Sequence, residues 1–115
     1  MMNQDFLYVG YYRDVVGNFV LKVGTTNDLN RRKYEHNTNY RKAKEYQMPR
    51  EESFHYIWTL PLSKYNTLRY EDKTREAWQQ KNIGKFIRND RFILAEIPSS
   101  VEVTIKKTYT IPLPR

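Results

Sequence analysis

The stretch from Lys22 to Asn37, KVGTTNDLNRRKYEHN, decides the fold of this chain. It reads as the end of a strand, a tight turn and the opening of a helix. Thr26, Asn27 and Asp28 carry short oxygen-bearing side chains, any of which can accept from the free N–H groups of a first helical turn. The helix so opened is expected to run to about Asn37. Arg32 and His36 stand four residues apart on it and therefore share one face. A strand-like segment, FLYVGYY over residues 6–12, lies upstream. Two strands and a helix that gather Tyr, Lys, Arg and His near one spot are suited to work on a phosphate group.

Working outward, residues 6–12 and 19–24 are rich in apolar, β-branched and aromatic side chains and read as strands, with Gly17-Asn18 turning the chain between them. Residues 39–52 are polar and basic, contain Pro49, and read as a loop. The third strand is FHYIWTL, Phe54 to Leu60, ended by Pro61. Ser63 caps a long helix from about Lys64 to Gln80, which Ile83-Gly84 closes. Residues 90–96, DRFILAE, form a short strand or extended segment, and 101–111 alternate loosely as a late strand before Pro112 and Pro114. This order predicts a small α/β (α+β) domain, β-β-α-β-α, with a central mixed three-stranded sheet flanked by helices. The domain is expected over residues 1–96, and 97–115 would be a C-terminal extension adding a short strand.

The strand faces sort themselves by alternation. Leu7, Val9 and Tyr11 point one way in the first strand, and Phe6, Tyr8, Gly10 and Tyr12 the other. In the second, Leu21 and Val23 share a face opposite Val20, Lys22 and Gly24. With Leu7, Val9, Leu21 and Val23 in the core, Tyr8 and Lys22 are expected to face outward together. Gly10 and Gly24 on that same face leave room for a backbone or ligand to come close. In the second helix Leu68, Glu71, Arg75 and Trp78 follow 3–4 spacing, which places a carboxylate on an apolar stripe. Such a group must pair or bind a metal. An ion pair between Glu71 and Arg75 and a metal at Glu71 both satisfy the pattern.

The global numbers bound the answer. A chain of 115 residues fits one domain, and buries roughly two thirds of its unfolded surface. Cysteine is absent, so there is neither a disulfide framework nor a thiolate zinc site, which suits a reducing compartment. The Met-Met-Asn-Gln-Asp start has no basic n-region followed by an apolar run. No apolar stretch approaches the roughly 18 residues of a membrane span. A soluble, intracellular protein without a membrane partner is the expectation. Net charge is +7, with Lys+Arg 20 against Asp+Glu 13. Most of the excess sits between residues 31 and 50, where Arg31, Arg32, Lys33, Arg41, Lys42, Lys44 and Arg50 face only Glu35 and Glu45. A local basic surface is the footprint of nucleic-acid binding, and Arg31, Lys33, Arg41, Lys42 and Lys44 are its candidate contacts. Tyr34, Tyr40 and Tyr46 lie among those cations, where they could stack on bases or simply pack.

The chain resembles the GIY-YIG nuclease superfamily over roughly residues 5–95. Phe6-Leu7-Tyr8 matches the first strand triplet of that family and Lys22-Val23-Gly24 the second. The helix pattern T-x-x-L-x-x-R-x-x-x-H is met by Thr26, Leu29, Arg32 and His36, and Glu71 is the best match for the glutamate of a later helix. Lysine in the second triplet is most like the subgroup of phages and large DNA viruses. The resemblance implies a metal-dependent endonuclease that hydrolyses phosphodiester bonds, with DNA as the expected substrate. It implies Tyr8 as general base or proton relay, Arg32 as the group that stabilises charge growing on the phosphate, and His36 as a phosphate contact or water-orienting group. Glu71 would hold one Mg²⁺ or Mn²⁺. Lys22 stands where most members carry a second tyrosine; it can donate to a phosphate and lower the pKa of Tyr8 by its charge. Phe6 replaces the glycine of the first triplet, and Asn82 and Asn89 compete for the family's late asparagine. A homodimer would allow both strands to be cut.

Two other readings fit the same residues. One is a catalytically degenerate domain that binds nucleic acid without cleaving it; the Phe6 and Lys22 departures favour it. The other is an interaction domain whose basic loop meets an acidic protein. Read for structure alone, Tyr8 is a strand tyrosine, Arg32 a salt-bridge or backbone arginine, and His36 a residue near a helix C-terminus. His55, Trp58 and Trp78 read as structural.

Overall fold

The computed structural model describes residues 4–80, 85–87 and 91–94, with the backbone alone at 64–68, 77 and 78. The expected helix closure at Ile83-Gly84, Asn82, Asn89, the 97–115 extension with its late strand, and the side chains of Leu68 and Trp78 lie outside the described residues. The elements are β1 (Gln4–Arg13), β2 (Phe19–Thr26), α1 (Leu29–Arg41), β3 (His55–Ser63), α2 (Lys64–Gln80), β4 (Lys85–Ile87) and β5 (Arg91–Leu94). The strands form one sheet in the order β3-β1-β2-β5-β4. Every neighbouring pair is antiparallel. The expected mixed three-stranded sheet is therefore corrected to a five-stranded antiparallel one. β5 docks on β2 with Leu21 opposite Phe92, and its apolar pair Phe92 and Leu94 completes the core. β4 is three residues long, too short to show a period of two.

The hairpin and the first helix form where local chemistry directs. The carboxylate of Asp14 accepts from the backbone N–H groups of Val16 (3.0 Å) and Asn18 (2.8 Å) and from the Asn18 side chain (3.0 Å), which closes the β1–β2 turn. Of the three candidate caps it is Asp28 that serves. It is extended at φ −148°, and its side chain accepts from Arg31 N–H at 3.0 Å, an interaction worth about 1 kcal/mol. The Thr26 hydroxyl donates to the Asp28 carbonyl (3.0 Å) and accepts from its N–H (3.1 Å), fixing the approach to the helix.

α1 runs past Asn37 to Arg41, so the expected loop at 39–52 begins later than its polarity implies. That extra turn carries Tyr40 over the sheet. The following segment is tied back in several places: Met48 N–H donates to the Tyr40 carbonyl (2.9 Å), Phe54 N–H to Asn37 Oδ1 (2.8 Å), and Arg41 to the Glu52 carbonyl (2.9 Å). β3 also runs further than expected, through Pro61 to Ser63. It is an edge strand, where a residue without an N–H is tolerated. Its register shifts opposite Val9/Gly10, where Trp58 pairs with Val9 and Tyr56 with Gly10.

The two faces of the sheet are covered differently. Leu7, Val9, Leu21, Val23, Phe92 and Leu94 pack with Tyr70 of α2, as the alternation predicts. The opposite face is not open. Tyr8, Tyr12 and Val20 are buried under Tyr40 of α1 and under Met48 and Phe54. Tyr8 is only 1% exposed. The expectation that Tyr8 faces outward is thus overturned: the covering layer comes from a helix end and a loop. The space left by Gly10 and Gly24 is filled by the protein itself. A Cβ on Gly10 would lie 2.2 Å from the Phe54 ring, and one on Gly24 would lie 2.4 Å from the Tyr8 hydroxyl.

Candidate active site

Tyr8 of β1, Lys22 of β2, Arg32 and His36 of α1, and Glu71 of α2 line one cavity of about 470 Å³. Four elements far apart in the chain thus deliver to one place the five residues singled out as catalytic or metal-binding. Alternation on β1 and β2 points Tyr8 and Lys22 to the α1 side of the sheet, with Tyr8 paired to Gly24 across the ladder. α1 is held over them partly by the Tyr56 hydroxyl, which donates to the Leu29 carbonyl at 2.7 Å.

At the floor, the Tyr8 hydroxyl lies 2.7 Å from His36 Nε2. His36 is 6% exposed and sits inside α1, not at its C-terminus. Its ring stacks on Tyr40 (5.0 Å between centroids, 6° between planes) and Tyr40 stacks on Tyr12 (4.6 Å). Burial holds both groups of the Tyr8–His36 pair neutral. It raises the Tyr8 hydroxyl far above its ordinary 10.0, helped by Tyr40 and opposed by the positive charge of Arg32. It lowers His36 to about 3, and the charges of Lys22 and Arg32 push the same way. The expected influence of Lys22 thus falls on His36, while Arg32 is the cation acting on Tyr8.

Arg32 makes an ion pair with Glu35 at 3.3 Å, and its Nε, buried, has no hydrogen-bond partner. Glu71 makes the ion pair that its spacing from Arg75 offered. Its Oε2 lies 2.9 Å from Arg75, and the residue also lines the cavity. Arg75 is in turn bonded to Asp72, so the carboxylate is held in place on the wall. Among the described residues no group of three or more His, Asp or Glu could hold a metal ion. The donor set still fits Mg²⁺, which commonly takes one protein carboxylate and fills its remaining positions with water and phosphate oxygens.

The expected nucleic-acid contacts lie outside the cavity. Arg31 is exposed and donates to Asn27 Oδ1 (2.6 Å), Lys33 is half-buried, and Lys42 and Lys44 are exposed on either side of Ala43, itself on the cavity wall. Arg41 is half-buried and donates to the Glu52 carbonyl. Sequence reasoning missed Arg91. This residue of β5 is 6% exposed, lies opposite Lys22 in the β2–β5 register and lines the cavity. Its signal was present as an arginine heading the apolar run RFIL, but its place depended on which strand β5 joined. Comparison of the chain with protein-family models, with curated proteins and with solved structures finds no match. Among the described residues no helix is long and apolar enough to cross a membrane.

Proposed function

We propose that the chain is a GIY-YIG-type endonuclease that hydrolyses phosphodiester bonds of DNA with one divalent cation. The observation that carries this reading is the convergence of Tyr8, Lys22, Arg32, His36 and Glu71 on one cavity, with Tyr8 and His36 in direct hydrogen-bond contact. In this reading a strand phosphate enters between Lys22 and Arg32. Arg32 stabilises the negative charge that grows on the phosphate oxygens. Tyr8 is too basic as a phenolate to be ionised beforehand, so it works as a relay. It takes a proton from the attacking water as its own passes to His36 Nε2. Lys22 and Arg32 depress the basicity of His36, and a bound phosphodiester offsets both charges. His36 therefore gains basicity when substrate is in place. Glu71 is the residue that would hold Mg²⁺, and the ion would supply polarisation of the scissile phosphate and stabilisation of the leaving oxygen. The exposed Lys42 and Lys44 would meet flanking phosphates.

The test is conversion of supercoiled plasmid with Mg²⁺, Mn²⁺ or EDTA, for wild type, Glu71→Ala and Arg32→Ala. Metal-dependent nicking by wild type alone, with DNA binding retained in Arg32→Ala, is expected. Linear product at early times would mark two copies cutting together. Binding without cutting by the wild type would move the assignment to the degenerate reading, and the absence of any salt-sensitive DNA binding would move it to an acidic protein partner.

A further inference from the structure

Arg91 is buried, yet among the described residues no carboxylate pairs with it. Its Nη1 donates to the Tyr12 hydroxyl at 2.9 Å, and that hydroxyl in turn donates to the Tyr46 carbonyl at 2.8 Å. Its guanidinium lies over the Tyr40 ring, 5.6 Å from the centroid. Its Nε has no hydrogen-bond partner. A phenol, a ring face and the Glu45 carbonyl at 3.4 Å orient the group without neutralising it. Burying a cation in that state is costly, and the cost falls when an anion completes the site. The place for that anion is open: Arg91 lines the cavity together with Lys22 and Arg32, against Glu71 as the one carboxylate on its wall among the described residues.

We propose that Arg91 binds a second phosphate in this cavity, the non-scissile one beside the phosphate that Arg32 holds. The assignment of that phosphate to a nucleic-acid strand rests on the nuclease reading above; the anion site itself rests on the geometry of Arg91. A planar fork suits this task better than an ammonium group, because it can offer two parallel N–H donors to two oxygens. The Tyr12 hydroxyl and the Tyr40 ring fix the fork in advance, so little side-chain freedom is lost on binding. The site would then read two successive phosphates, and prefer an internal linkage or a phosphorylated end to an isolated monoester.

The experiment has two arms. In the first, inorganic pyrophosphate is titrated by thermal shift into wild type, Arg91→Met and Arg91→Lys. A rise in wild-type Tm that Arg91→Met lacks is expected, with circular dichroism verifying that the variant is folded. Arg91→Lys is expected to bind about tenfold more weakly. An equal shift in Arg91→Met, or no shift in wild type, overturns the proposal. If Arg91→Met does not fold, an unchanged affinity in Arg91→Lys overturns it. In the second arm, oligonucleotides carry a single neutral methylphosphonate at each position around the cut. Wild type is expected to lose about tenfold in cleavage rate at one neighbouring linkage, and Arg91→Lys to lose markedly less at that linkage. Equal losses in the two proteins at every position overturn the assignment of Arg91 to a neighbouring phosphate. No cleavage of any oligonucleotide, with the Arg91-dependent pyrophosphate shift intact, would refute the nuclease reading and leave the anion site standing.

Discussion

Lowering the pH from about 7 to about 4.5 should destabilise the protein through His36 alone by an amount that can be worked out. The folded imidazole is held down to about 3 from an ordinary 6.5, first by burial and then by Lys22 and Arg32. As pH falls through 6.5 the unfolded chain takes up a proton on His36 and the folded chain does not. The stabilisation is therefore complete above 6.5 and is lost progressively as pH falls toward 3. Between pH 7 and pH 4.5 the linkage relation gives a loss of about 2.5 kcal/mol. That is a large share of the stability of a domain of this size. The comparison is with His36→Gln, whose amide can still meet the Tyr8 hydroxyl but cannot titrate. Every carboxylate and His55 remain in both proteins, so their contributions cancel in the difference. Urea denaturation at the two pH values should show the wild-type midpoint falling by about 1–2 M more than that of the variant. Midpoints that fall in parallel would mean that His36 titrates near its ordinary value, and that its burial against Tyr8, Tyr40 and Phe54 is not what the geometry indicates.

Two further perturbations probe the cavity and its rim. Gly24→Ala would push a Cβ to 2.4 Å from the Tyr8 hydroxyl, which is packed against His36, Phe54 and Tyr56 and has little room to yield. It should cost about 1–3 kcal/mol by thermal denaturation and cut nicking at least tenfold, while DNA affinity in a gel-shift titration stays near wild type. Replacing Lys42 and Lys44 together by alanine should leave Tm unchanged and reduce the slope of log affinity against log salt by about 2. A slope equal to that of wild type would place the DNA elsewhere.

The part of the fold that was legible in the sequence is the part with a period. Leu7, Val9, Leu21 and Val23 alternate, and they lie together in the core. Arg32 and His36 stand one helical turn apart behind a run of three candidate caps, and they lie in one helix. What escaped has no period. Met48 is a single apolar residue in the polar stretch 39–52 and Phe54 reads as the head of the third strand, and nothing local says that they cover the second face of the sheet. That face carries Tyr8, Tyr12, Gly10 and Lys22, whose polar tips and small side chains read as a solvent surface. Tyrosine fits both situations, since its ring can be buried while its hydroxyl finds a partner. Here Tyr8 finds His36 and Tyr12 finds the Tyr46 carbonyl. Of the candidate site, spacing within one helix set Arg32 beside His36, and the resemblance added Tyr8, Lys22 and Glu71; Arg91 was not legible, because its place depends on a long-range strand pairing that local sequence does not encode.

Burial of the Tyr8–His36 pair also bears on how the proposed reaction would be controlled. A phenol and an imidazole that are both neutral at pH 7 can pass a proton between them, but neither draws one from water unaided. Of the causes that hold His36 down, burial is fixed by the fold, whereas the repulsion from Lys22 and Arg32 depends on what occupies the cavity. A phosphodiester between those two cations would remove much of that repulsion and leave the hydrogen bond to Tyr8 unchanged. Lysine at residue 22 then has two physical consequences for the proposed reaction. It adds to the charge that suppresses His36 in the free protein, and it adds to the attraction for the anion that relieves the suppression. In this arrangement substrate binding and the gain of basicity are one electrostatic event, so a water molecule in the cavity without a phosphate would meet a relay with nowhere to send its proton.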